Sequence, residues 1–205
     1  GTDTDLFFSR SVNNGGSWSA MAPLNGNADE DIAGDSDRFV TLATDGNGNW
    51  VATWESDTNL GGTIGTDDDI FAARSSDDGM SWSFQPIVVN HQAGADGSDD
   101  DDTPVVATNG LGSWVIAWSS EEVVSGFGGD FDLYFSRSTD NGMSWSNQAP
   151  LNSEAIGGGG ILHDVTPTIV TDGTDWVVAW REFGMFGGVA NLWATRSIDA
   201  GASWT

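Results

Sequence analysis

The 205-residue chain contains no cysteine. A disulfide framework is therefore excluded, and nothing in the sequence marks the redox compartment. Lysine is absent as well: all six basic residues are arginine, set against 25 Asp and six Glu, for a formal net charge of −25. That imbalance opposes binding to a nucleic-acid backbone and repels anionic membranes. It favours solubility, divalent cations or a high-salt setting. Asp also has a plainer use as a turn former. No apolar run is long enough to make a membrane-inserted helix, and no signal peptide is recognisable. No stretch holds a helical period. Only one tyrosine and two histidines are present.

What the chain has is repetition. An eight-residue phrase, Ser-x-Asp/Asn-x-Gly-x-Ser-Trp, begins at Ser11, Ser75, Ser138 and Ser197. Its near-constant spacing indicates a repeat architecture. Each phrase sits in a shared frame. A first strand-like run (39–44, 104–108, 167–171) leads through Asp45-Gly46, Asn109-Gly110 or Asp172-Gly173 into a second (50–54, 114–118, 176–180). Asn-Gly and Asp-Gly suit tight hairpin turns. A third run (5–11, 69–75, 132–138, 191–197) flows into the phrase, and a short fourth run closes the unit. The runs are rich in β-branched and aromatic residues and bounded by Gly, Asn and Asp. Four short antiparallel strands per repeat describe one blade of a β-propeller.

The phrase resembles the Asp box of sialidases and other BNR-repeat propellers, with Ser for the usual Thr and with Asn13 replacing Asp in the first copy. The resemblance covers the whole chain. It implies an all-β, sialidase-like propeller in which the box is a structural turn between the third and fourth strands. Its Asp or Asn (Asn13, Asp77, Asp140, Asp199) would accept backbone amides. Its Gly (Gly15, Gly79, Gly142, Gly201) would take a positive φ. Its Trp (Trp18, Trp82, Trp145, Trp204) would pack between blades. Residues 1–25 are expected to supply a partial blade, 37–90 and 101–152 complete blades, and 164–205 a partial one. Because the chain opens in a third strand, it is expected to belong to a longer parent or to have lost a leader. About three blades' worth of strands would leave apolar faces open. Either further blades or self-association would close a six-bladed or larger ring.

The repeat assigns most conspicuous residues to structure. All eleven tryptophans occupy repeat positions and are expected to pack in the core. Arg10, Arg74, Arg137 and Arg196 share one position and are expected to be structural, each paired with an acidic neighbour. Arg38 and Arg181 break the pattern: Arg38 aligns with Asp102 and Val165, and Arg181 with Glu55 and Ser119. They are the candidate ligand-binding residues. A sialidase would use three arginines to clamp a substrate carboxylate, with a Tyr nucleophile, a Glu and an Asp. Here the single tyrosine, Tyr134, sits at a repeat position filled elsewhere by Phe or Trp, and the off-pattern arginines number two. No catalytic residue is assigned.

The acidic groups ahead of the third strands, Asp67 with Asp69 and Asp130 with Asp132, are candidate ligands for Ca²⁺, which prefers oxygen donors. The run Asp99–Asp102 is self-repelling and would also welcome a cation. His91 and His163 have no partner at metal-ligand spacing. The glycine runs 126–129, 157–160 and 184–188 read as loops and not as phosphate cradles. Three functions remain open. One is a non-catalytic module of a secreted or cell-surface protein that recognises a glycan or protein. The second is a sialidase-type glycoside hydrolase completed by other blades. The third is a structural repeat in an acidic assembly.

Overall fold

The computed structural model describes residues 4–26, 35–122, 129–151, 162–184 and 190–205. Among these there is no helix, and thirteen strands form four antiparallel sheets. Blade one pairs β1 (Phe7–Phe8) with β2 (Ala22–Pro23). Blade two runs β3 (Asp37–Thr44), β4 (Trp50–Ser56), β5 (Asp69–Ser75) and β6 (Ile87–Val88) in order. Blade three repeats this with β7 (Asp101–Thr108), β8 (Trp114–Ser120), β9 (Asp132–Ser138) and β10 (Ala149–Pro150). Blade four comprises β11 (Leu162–Thr171), β12 (Trp176–Gly184) and β13 (Asn191–Ser197). The first strands β3, β7 and β11 lie side by side, so the sheets fan out from them as an arc.

The core lies between blades, because both faces of a middle strand must be covered. Blade two presents Val51, Ile70 and Ala72 to Val106, Trp114, Ile116 and Trp118 of blade three. Blade three presents Val115, Ala117, Leu133 and Phe135 to Ile169, Trp176 and Val178 of blade four. Each large side chain buried this way is worth about 1.5–3 kcal/mol. In each of blades two, three and four a buried tryptophan needs a hydrogen-bond partner. Trp54, Trp118 and Trp180 donate their indole N–H to Asp37, Asp101 and Asp164 at 3.0, 2.8 and 2.8 Å. Asn25 and Asn90, each placed just after a fourth strand, donate to the second oxygen of Asp37 and Asp101, latching one blade to the next.

The turns differ from expectation in one respect. Gly46 and Gly110 do take a positive φ, but the chain spans five residues between β3 and β4 and between β7 and β8. Asp45 closes the first of these turns by accepting the amides of Asn47 and Asn49, so an Asx turn replaces a tight two-residue hairpin.

The eight-residue phrase forms the same turn four times. Asp77 Oδ1 accepts Ser75 Oγ–H at 2.7 Å and Ser81 N–H at 2.9 Å, and Oδ2 accepts Ser81 Oγ–H. These bonds to Ser81, then Ser75, hold the Asp77 carboxyl down at about 2. Asn13 keeps the Oδ1 bonds, but its amide donates to Ser17 Oγ where a carboxylate would accept. The residue before the glycine (Asn14, Asp78, Asn141, Ala200) is left-handed as well, with φ between 56° and 62°.

Three of the four repeat arginines bind backbone where an acidic partner was expected. Arg10, Arg74 and Arg137 donate Nε–H to the carbonyls of Asp78, Asn141 and Ala200 in the following blade. A left-handed turn aims that carbonyl out of the hairpin, where a neighbouring guanidinium can reach it. Of the four, Arg196 meets a carboxylate, that of Asp175. Two tryptophans depart from the core assignment: Trp18 is 64% exposed and Trp193 51%.

Candidate functional site

At the ends of the sheets opposite the box turns, the first strands carry a recurring bulge. Register shifts fall between Arg38 and Thr41, Asp102 and Val105, and Val165 and Thr168. In each, one residue is left-handed: Phe39 (φ 51°), Thr103 (φ 51°) and Thr166 (φ 53°). A β-branched or aromatic residue is held there only against strain. The bulge reorients the residues around it, and the amide of Thr103 turns to donate to Glu55 Oε2 at 2.8 Å.

Four charged side chains converge there. Arg38 opens β3 and pairs in register with Glu55 at the end of β4. Its Nε–H donates to Glu55 Oε1 at 3.2 Å, and its Nη2 grips both oxygens of Asp68. Carboxylate oxygens of Glu55, Asp68 and Asp102 come within 4.8 Å of one another. Burial pushes the Glu55 carboxyl up and Asp68 opposes its ionisation further, while the Thr103 amide and Arg38 pull it down. Burial also lifts Asp68 despite its partner Arg38. Asp102 is pushed up to about 7, first by burial, then by Glu55, Asp68 and Asp100. The group thus holds one fixed cation among three carboxyls whose ionisation burial opposes.

A second acidic group lies beside it. Asp67, Asp69 and Asp96 also bring carboxylate oxygens within 4.8 Å of one another. Asp69 is pushed up to about 7 by burial and then by Asp67 and Asp96, and Asp96 to about 6 by burial and then Asp67.

Of the sequence candidates, Arg38 lies in the first cluster, with its guanidinium engaged by acids of its own blade. Arg181 is exposed on β12, two blades away, with its guanidinium 5.0 Å from the centre of the Phe183 ring. The two do not form one clamp. Asp67 and Asp69 meet in the second cluster. Asp130 and Asp132 join neither cluster among the described residues. The runs 126–128, 157–160 and 185–188 lie outside the described residues. Tyr134 is buried, and burial raises its phenol. Sequence reasoning passed over Glu55, Asp68, Asp96 and Phe39 as site residues, and took Asp102 only as part of an acidic run that would welcome a cation. A signal existed for three of them. Glu55 and Asp102 occupy the alignment columns of Arg181 and Arg38. Phe39, 61% exposed, is the aromatic at a bulge position where the other blades carry Thr.

No protein-family model matches the sequence, and no curated protein matches it. Solved structures do. An α-L-arabinanase from Penicillium chrysogenum, complexed with arabinobiose, superposes with a TM-score of 0.60 at 16% identity, over 99% of this chain and 58% of its own. A sialidase from Trypanosoma rangeli superposes at 0.55 and 17% identity, over 98% of this chain and 33% of its own. An endo-arabinase from Bacteroides thetaiotaomicron gives 0.51 at 18% identity, over 92% and 68%. The chain thus spans little more than half the length of the first of these and a third of the second. At such identities the likeness concerns the fold: an all-β, sialidase-like propeller arc.

Proposed function

We propose that the chain is a glycan-recognition module of the BNR/Asp-box kind, and that the cluster of Arg38, Glu55, Asp68 and Asp102 takes a neutral, hydroxyl-rich sugar. The carrying observation is that Arg38 is already neutralised by Glu55 and Asp68. A sialidase needs its arginines free for a substrate carboxylate. Three acids around one spent guanidinium repel an anionic sugar, whereas sugar hydroxyls donate well to carboxylates. Exposed Phe39 beside Arg38 in the chain offers an apolar ring face for a sugar's C–H groups. The structural neighbours named for arabinan and sialic acid chemistry make a glycan the natural partner class. A protein ligand is the other partner the exposed rim would suit.

A secreted or cell-surface setting is what the resemblance to BNR-repeat propellers implies for such a module. Calcium is the cation the oxygen-only clusters suit, as a structural ion. Further blades would close the ring. Blade one contributes strands three and four and blade four strands one to three, so two copies meeting end to end would duplicate strand three.

A second reading, a hydrolase of neutral glycans, is favoured by one observation. Burial and its acidic neighbours push Asp102 up to about 7 within reach of Glu55, and a raised carboxyl beside a second carboxyl is what acid–base chemistry uses.

The test is calorimetric titration with arabino-oligosaccharides and with sialyllactose, alongside a reducing-end assay. Binding of the neutral sugar without turnover, weakened at least tenfold in Glu55→Gln, is expected. Preference for sialyllactose overturns the reading. Turnover abolished by Asp102→Asn would establish the hydrolase instead. Light scattering of the same samples reports self-association, with a monomer near 21.5 kDa expected.

A further inference from the structure

The two acidic clusters differ in how their charge is met. Glu55, Asp68 and Asp102 enclose their own cation, Arg38. Asp67, Asp69 and Asp96 pair with no basic side chain among the described residues. Asp67 is 8% exposed, and neither of its carboxylate oxygens has a well-formed hydrogen bond, although the amides of Thr66 and Asp67 lie near. Asp69 is fully buried. Its Oδ1 accepts Asn90 Nδ2–H at 2.6 Å, but its Oδ2 is unpartnered, as is the buried Oδ1 of Asp96. Four buried, unpartnered carboxylate oxygens in one spot are unfavourable unless something fills them.

The backbone is shaped around this group. A Cβ at Gly65 would lie 1.8 Å from Asp67 Oδ1, so glycine there leaves room for that carboxylate. Asp67 and Asp69 come from the β4–β5 connection and its exit into β5, whereas Asp96 comes from the β6–β7 connection. The two connections already touch, with Gly65 N–H donating to Ala93 O at 3.1 Å. Asp96 is held in place by its own amide on Gln92 O.

We propose that Asp67, Asp69 and Asp96 form a calcium site that clamps the β4–β5 connection to the β6–β7 connection beside the first cluster. Three carboxylates, each able to bind through one or both oxygens, approach the six to eight hard donors calcium prefers. Magnesium holds several waters and seldom takes a dehydrated all-carboxylate cage. Zinc and copper favour imidazole or thiolate, and the grouping has neither. The same ion fixes Asp69, which through Asn90 reaches Asp101 and the seam to blade three. The proposal gives the structural ion of the preceding reading an address, and does not depend on glycan binding.

Thermal unfolding of the whole chain in EDTA, in CaCl₂ and in MgCl₂ at matched ionic strength tests it. At a hundredfold excess over Kd, calcium is expected to raise Tm by about 6 °C for a chain of this size. Magnesium is expected to do little. Asp67→Asn and Asp96→Asn, which keep shape and remove charge, should lose the calcium response. Asp102→Asn should keep it. Terbium luminescence displaced by calcium gives an independent readout and should vanish in the same two variants. No calcium response in the wild type overturns the proposal, as does an equal response to magnesium, which would be screening of the −25 charge. Retention of the response in both variants overturns it too. Should either variant fail to fold, metal content of the dialysed wild type decides: about one calcium per chain is expected, and none overturns. Arabino-oligosaccharide titration in EDTA separates this outcome from a failure of the glycan reading.

Discussion

The seam between blades two and three and the seam between blades one and two are built from the same sequence frame, yet only the first is closed. At the closed seam Trp145 is 8% exposed among Val51, Ile70 and Ala72 of the preceding blade. Gly142 sits so close to that blade that a Cβ would lie 2.7 Å from Val51 Cγ2. At the open seam Trp82 reaches Phe8 edge-on, but blade one lacks strands one and two in this chain. Leu42 and Trp50 line a cavity there together with Phe8, Trp18 and Trp82. A Cβ at Gly79 would meet nothing within 4 Å. The other end shows the same contrast: Leu192 is 86% exposed where Ile70 and Leu133 are fully buried. A box tryptophan or glycine therefore matters according to whether the preceding blade offers its second strand, and not according to the box itself.

That comparison can be broken by mutation. The largest effect is expected at the tryptophans: Trp145→Ala should cost about 3–5 kcal/mol in urea unfolding, and Trp18→Ala less than about 1 kcal/mol. Next come the glycines. Gly142→Ala adds overpacking against Val51 to a strained positive φ, for about 2–4 kcal/mol, whereas Gly79→Ala meets only the φ strain, about 1 kcal/mol. Equal losses at the two positions would show that the box fold alone demands glycine. Smaller again, Arg74→Ala should cost about 1 kcal/mol through its lost bond to the Asn141 carbonyl. Arg196→Ala, on exposed Arg196, should cost under about 0.5 kcal/mol.

The subtlest test concerns pH. Asp102, raised to about 7, faces Glu55 on β4, Asp68 before β5, Asp100 before β7 and Arg38 on β3. A carboxyl raised on folding adds stability that is full below its unfolded value near 4 and is lost as pH climbs through 7. Wild type should therefore lose stability from about pH 4 to 7, and Asp102→Asn should lose less of it. Identical slopes would place the titrating group elsewhere.

The fold was legible because each strand signal recurred and the repeats corrected one another. Asp45-Gly46, Trp50 and the Ser75 phrase have counterparts one repeat on, at Asn109-Gly110, Trp114 and Ser138. The candidate site was legible only as positions. The columns of Arg38 and Arg181 stood out as irregular, and the first cluster is built on those columns. Their partners were hidden because they come from other strands and from the bulge. The run Asp99–Asp102 shows why. It reads as one acidic block, but strand alternation sends its members apart. Asp101 turns inward to Trp118, Asp102 joins Glu55 and Asp68, and Asp100 accepts the amide of Asp68. No composition count separates these fates. Asp96 was invisible for a related reason: only the folded connection brings it to Asp67.

The arginine contact across each seam has one more consequence. Because Arg10, Arg74 and Arg137 grip a main-chain oxygen, the joint is blind to the side chain at the gripped position, which is Asp78, Asn141 and Ala200 in turn. A coupling that ignores side-chain identity is interchangeable. This contact therefore places no limit on which blade follows which, and leaves that selection to the apolar side chains packed across the seam. The slightly uneven spacing of Ser11, Ser75, Ser138 and Ser197 fits a modular chain of this kind, in which loop lengths drift while the coupling stays constant.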